Sequence, residues 1–193
     1  MATAFKRKGS RVVAHLDANE RAIVRELLDQ TRELLSPTGM TTGDPVEDLF
    51  SGIGTAPDAE ELAGRDPALA RLLPDGHKGD PEVAAEFRAL TEHSLRQRKT
   101  ANLATAIQAL DQPTHRDKLE LDIGQAQALL ISLADVRLAL GERLELRTDE
   151  DSEQLQHELA QASVDDVEDP RLIIGLYYDF LTWMQESLAG ALL

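Results

Sequence analysis

The residues best placed to do chemistry are polar ones set into a stretch of otherwise apolar periodicity: Arg88, Glu92, Arg96, Arg98, Lys99 and Asn102. Arg88, Glu92 and Arg96 stand at i, i+4 spacing, as do Arg98 and Asn102, so on a helix each set shares a face. The plain reading is a solvated face whose exposed pairs contribute about 0–1 kcal/mol each. The functional reading is a basic surface for an acidic partner segment, with Arg88, Arg96, Arg98, Lys99 and Asn102 as its contacts. Lys6, Arg7, Lys8 and Arg11 cluster near the start and form the candidate patch for nucleic acid.

Other chemical groups point to structure. Asp135, Arg137 and Arg143 fall in an apolar helical pattern, and Gln185 and Glu186 in the terminal one. Carboxylate–Arg pairing between those helices would fix their register, because a charge left unpaired in a core is strongly destabilising. The histidines, His15, His77, His93, His115 and His157, are scattered and form no metal-binding pair. With no cysteine, disulfides, thiolate nucleophiles, zinc–thiolate sites and iron–sulfur clusters are excluded together. Ser51-Gly52-Ile53-Gly54-Thr55 looks superficially like a phosphate loop, but lacks the Gly-Lys-Ser/Thr continuation and a preceding apolar strand, and reads as a turn. No nucleophile elbow is present, and Glu60 and Glu61 suit a helix start. No catalytic, cofactor-binding or metal residue is expected, and the chain reads as noncatalytic.

The elements that must hold these groups follow from composition and pattern. With 193 residues, 42% hydrophobic and only 4% aromatic, the interior must be built from Leu, Ile, Val and Ala, which suits interdigitating helices. The expected fold is mainly α, a single-domain helical bundle over 1–193 with a small N-terminal β-hairpin at 4–16. Phe5 to Lys8 and Arg11 to Leu16 flank Gly9-Ser10, which suits a two-residue type II′ turn. Asp17 then caps a helix to about Leu35, with Glu20 at the capping-box position. Lys118 to Leu121 suggests a third strand, because Asp122 and Gln125 follow it as Asp17 and Glu20 follow Leu16. This similarity is weak, and the shared physics of helix starts also produces it.

Asp44-Pro45, Asp66-Pro67, Asp80-Pro81 and Asp169-Pro170 each fit an N-cap followed by proline at N1. Residues 36–57, rich in Gly, Thr and Pro, read as a flexible loop with a short turn near Val46 to Phe50. Helices are expected from Pro81 to about Asp111, from Ile123 to about Leu146, and from Glu150 to Ala162, the last anchored by Leu155 and Leu159 alone. The acidic segment 149–169 reads as solvated and mobile. The terminal helix from Pro170 places Ile173, Leu176, Tyr177, Phe180, Leu181, Met184 and Leu188 at helical spacing, a core stripe worth roughly 1.5–3 kcal/mol per fully buried side chain.

A net charge of −15 disfavours nucleic acid without excluding it. No apolar leader or roughly 20-residue apolar span is evident, so the expected location is cytoplasmic, away from membranes. A homo-oligomer stays open.

Several stretches together resemble one family: Asp66-Pro67-Ala68-Leu69-Ala70-Arg71-Leu72-Leu73-Pro74-Asp75, the Glu86-Phe87-Arg88 to Arg98-Lys99-x-x-Asn102-Leu103 run, Asp135-Val136-Arg137-Leu138-Ala139-Leu140-Gly141-Glu142-Arg143-Leu144, and Tyr178-Asp179-Phe180-Leu181-Thr182-Trp183-Met184-Gln185-Glu186-Ser187-Leu188. The combination resembles the actinobacterial domain-of-unknown-function family that includes the AosR-type oxidative-stress regulators. That resemblance implies transcriptional regulation in oxidant response through a stress sigma factor, with a Clp-protease adaptor as a frequent gene neighbour. Sensing oxidant through the protein's own thiols does not carry over to a chain without cysteine, and Met40 and Met184 have ordinary packing roles. The resulting expectation is a noncatalytic cytoplasmic regulatory protein, without a cofactor, that contacts a sigma factor or RNA polymerase. The alternatives are direct DNA binding through the basic hairpin and a Clp-adaptor-type interaction module.

Overall fold

Gly9 takes φ +63° and Ser10 stays out of the left-handed region, so the turn adopts the handedness expected of type II′. It joins β1 (Thr3–Lys8) to β2 (Arg11–His15). A third strand, β3 (Lys118–Asp122), pairs antiparallel with the other edge of β2, giving the order β1-β2-β3. This computed structural model describes residues 2–36, 62–77, 79–113, 115–162 and 169–193. The flexible-loop reading of 36–57, apart from Ser36, lies outside the described residues. So do the Asp44-Pro45 cap, the 51–55 turn, Met40, Glu60, Glu61 and 163–168 of the acidic segment.

The helices are α1 (Ala18–Leu34), α2 (Pro67–Leu72), α3 (Pro81–Leu110), α4 (Ile123–Arg143), α5 (Asp149–Gln161) and α6 (Pro170–Leu192). Local chemistry sets their starts. Asp17 with Glu20, and Asp122 with Gln125, form reciprocal capping boxes at the heads of α1 and α4. Asp66, Asp80 and Asp169 each accept N–H bonds ahead of a proline in the first turn. α4 ends three residues before the expected Leu146. There Glu145 turns left-handed at φ 59°, and the Glu145 and Leu146 N–H groups bond back to the Glu142 and Gly141 carbonyls.

The inner face of the sheet supplies Phe5, Val12, Ala14, Leu119 and Leu121 to a core shared with Leu28, Leu103, Leu129, Leu133, Leu181 and Met184. α4 is the central helix, in contact with α1, α2, α3 and α6. It is long and apolar enough to cross a membrane by length and composition, although the sequence pattern had suggested no such span. α5 docks on α6 where Leu155 and Leu159 press on Gly175, so closely that a Cβ there would displace the Leu155 side chain. Burial departs from the apolar periodicity on α3, α4 and α6. Ile131 and Leu138 of α4 are each 46% exposed. Leu176 and Trp183 of α6 are 50% and 37% exposed, and Val83, Phe87 and Leu90 at the head of α3 are also exposed.

Candidate functional site

The middle of α3 is polar because partners from other elements close over it. Arg65, just ahead of α2, donates from both terminal nitrogens to the Glu92 carboxylate at 3.0–3.2 Å. Arg96 donates to Glu92 Oε1 at 2.9 Å and to the Leu35 carbonyl, beyond the end of α1, at 2.6 Å. With the side chains of Arg65, Glu92 and Arg96 only 6%, 12% and 18% exposed, the network is largely desolvated. One turn earlier, Arg88 is buried and pairs with Asp75; one turn later, Lys99 pairs with Asp135 of α4. Burial pushes the Asp135 carboxyl above its usual range, and the Lys99 ammonium only partly opposes that rise.

The expected exposed docking surface on α3 is therefore corrected. Arg88, Arg96 and Lys99 spend their charge inside the molecule, Asn102 is half-buried, and Arg98 alone of the expected contacts is fully at the surface. The i, i+4 ladder holds the chain together instead: it ties Leu35 and Arg65, residues 30 positions apart in sequence, to one stretch of α3.

The basic hairpin has a different outcome. Strand alternation and register place Lys6, Lys8, Arg11 and His15 on the outer face of the sheet, opposite Phe5, Val12 and Ala14. β3 adds Lys118, Glu120 and Asp122 to this face, opposite His15, Val13 and Arg11. A hydrogen bond from Lys118, with the charges of Arg11 and Lys8 nearby, holds the Glu120 carboxyl below its usual range. Among the described residues Lys6, Lys8 and Arg11 form no ion pair. Arg7 has the opposite parity and folds back on the turn, its Nε donating to the Gly9 carbonyl at 3.4 Å. Lys118 was not legible as a member of this patch, because only the β2–β3 register puts it there, whereas His15 follows from the alternation of β2 itself.

The expected Asp/Arg pairing of α4 with α6 is also revised. Asp135 turns to Lys99, and Arg143 to Asp66. Arg137 alone reaches α6, where it meets the neutral Gln185 and Tyr178, while Glu186 is exposed. At the far end of α4, Glu142 is gripped by Arg147 and Arg71, which hold its carboxyl low. Among the described residues no three His, Asp or Glu side chains converge as a metal site.

Over residues 2–192 the sequence matches the family described as a domain of unknown function, DUF2017. The chain belongs to DUF2017. No curated protein and no solved structure matches it. The DUF2017 match runs from β1 through α6, so the basic sheet face and the buried α3 network both lie within the family domain.

Proposed function

We propose that this DUF2017 protein is a noncatalytic cytoplasmic regulator that binds another protein through the outer face of its sheet. The supporting observation is the collection of Lys6, Lys8, Arg11, Lys118 and His15, with Glu120 and Asp122 among them, on one face of a chain whose net charge is −15, while Arg88, Arg96 and Lys99 are committed internally. A cationic face of this size suits an acidic protein surface, where complementary charge speeds encounter and fixes orientation. Arg98, with Asn102 beside it, adds a secondary contact on α3. The resemblance to AosR-type regulators favours a stress sigma factor or RNA polymerase as the partner.

The test is mild crosslinking at low salt in the native cytoplasm, followed by mass spectrometry of what copurifies with the wild type and with Lys6→Glu/Lys8→Glu/Arg11→Glu. Recovery of polymerase or a sigma factor by the wild type alone supports the proposal. Recovery of Clp components without polymerase moves the function to the adaptor class, and equal recovery by both chains removes the sheet face from the mechanism. Direct duplex contact is the second reading, favoured by the exposure of Lys6, Lys8 and Arg11, which form no ion pair among the described residues. If four cations each meet a phosphate, log affinity falls with log salt at a slope of roughly −3 to −4, and a flat salt dependence discards it.

A further inference from the structure

α4 and α6 run antiparallel, tied where Arg171 donates to the Leu144 carbonyl at 3.1 Å and where Arg137 donates to Gln185 Oε1 at 2.7 Å. Arg137 sits partway along this seam with its guanidinium 5.0 Å from the Tyr178 ring centroid and 3.3 Å from the Tyr178 hydroxyl. Its Nε is buried and finds no acceptor among the described residues. All its partners among the described residues are neutral, so this half-buried cation stands there without the carboxylate that would offset its desolvation.

The missing charge lies on the same face. Asp179 and Glu186 follow Tyr178 and Gln185 by one residue, which turns them about 100° further round α6, toward solvent. Neither makes an ion pair or hydrogen bond among the described residues. Apolar groups flank this charged strip on both sides. On α4, Ile131 and Leu138 are each 46% exposed; on α6, Leu176 and Trp183 are exposed, and Trp183 stacks on Phe180 with ring centroids 6.0 Å apart. Although α4 has the composition of a fully buried helix, only 44% of its most apolar stretch is buried.

We propose that this α4–α6 face joins two copies of the chain about a two-fold axis passing near Thr182. The patch is self-complementary, as a two-fold contact requires: it holds a cation lacking an acid and two acids lacking a cation at the same level of the helix pair. The rotation sets Arg137 of each copy against Asp179 and Glu186 of the other, while Ile131, Leu138, Leu176 and Trp183 close around them. A foreign partner offering only an acid would leave Asp179 and Glu186 unmatched. α5 covers this face of α6 at Gly175, so the open part of the pair, about 20–25 Å long and about 20 Å wide, presents roughly 400–500 Å² a side, the low end for a specific interface and in keeping with a micromolar dimer. This contact uses α4 and α6 and is separate from the outer sheet face.

Sedimentation velocity of the full chain between about 1 and 100 µM tests the proposal, with a dimer expected within that range. Leu138→Glu, at an exposed position, should weaken the dimer at least tenfold. So should Arg137→Glu and Asp179→Arg/Glu186→Arg, each of which sets like charges together across the axis. Mixing those two charge variants should restore a heterodimer that neither forms alone. A chain that stays monomeric throughout, or a dimer indifferent to Leu138→Glu and to the acidic-pair reversal, overturns the proposal. Should Arg137→Glu fail to fold by circular dichroism, Leu138→Glu and Asp179→Arg/Glu186→Arg still decide it. A monomeric variant that retains the sheet-face partner separates this contact from the proposed function.

Discussion

Replacing Glu92 with Ala removes the shared acceptor of Arg65 and Arg96 while leaving both guanidinium groups in place. The Arg65 and Glu92 side chains are 6% and 12% exposed, so water cannot readily replace the lost carboxylate at Arg65. Breaking a buried pair from one side costs about 3–5 kcal/mol. Arg96 keeps its bond to the Leu35 carbonyl at 2.6 Å, which places the expected loss near the lower end, about 3 kcal/mol. For a chain of this size that lowers the midpoint of thermal unfolding by roughly 6–12 °C. Urea unfolding followed in parallel by far-ultraviolet circular dichroism and Trp183 fluorescence measures the loss and tests whether the transition is two-state. Asp111→Ala, which breaks an exposed pair with Arg25, is the control and should leave the midpoint unchanged. A Glu92→Ala loss below about 1 kcal/mol would refute the reasoning, because the ladder would then behave like the solvated i, i+4 pairs read from spacing alone.

Asp135→Asn should gain stability relative to the wild type as pH rises from about 4. A carboxyl raised by burial contributes stability at low pH that is lost as pH climbs through its folded value, and a constant difference between pH 4 and 7 would contradict this. Glu142 titrates in the opposite sense. Held low by Arg147 and Arg71, it contributes stability above the ordinary carboxylate range that disappears as pH falls, so Glu142→Gln should flatten the acid limb of the unfolding curve. Gly175→Val should destabilise by about 1–3 kcal/mol and speed amide exchange in α5 first, since even a Cβ there would lie 2.9 Å from Leu155 Cδ1. Glu145→Gly should stabilise by about 1 kcal/mol in urea unfolding, because φ 59° at the end of α4 strains any side-chain-bearing residue.

What was legible in the sequence was local. The Gly9-Ser10 turn, the capping boxes at Asp17 and Asp122, and the Asp-Pro starts at Asp66, Asp80 and Asp169 each depend on residues within a few positions of one another, and each is present in the fold. The apolar stripe of α6 was legible too, but periodicity reports only that one side of a helix is apolar. It does not report how wide a neighbour will cover it, and Leu176 and Trp183 fall beyond the edge of that cover.

The candidate site divides along the same line. The sequence alone determined that Lys6, Lys8 and Arg11 share a hairpin and that no thiol chemistry is open to this chain, because strand alternation and composition need no tertiary information. Only the tertiary structure decided that Arg88, Arg96 and Lys99 face inward, since their partners Asp75, Leu35 and Asp135 lie 13, 61 and 36 residues away. Only the β2–β3 register added Lys118 to the basic face. An i, i+4 spacing fixes which side chains are neighbours on a helix, but the dielectric around them, and hence whether they are solvated charges or a buried clasp, is set by whatever the rest of the chain packs against that helix.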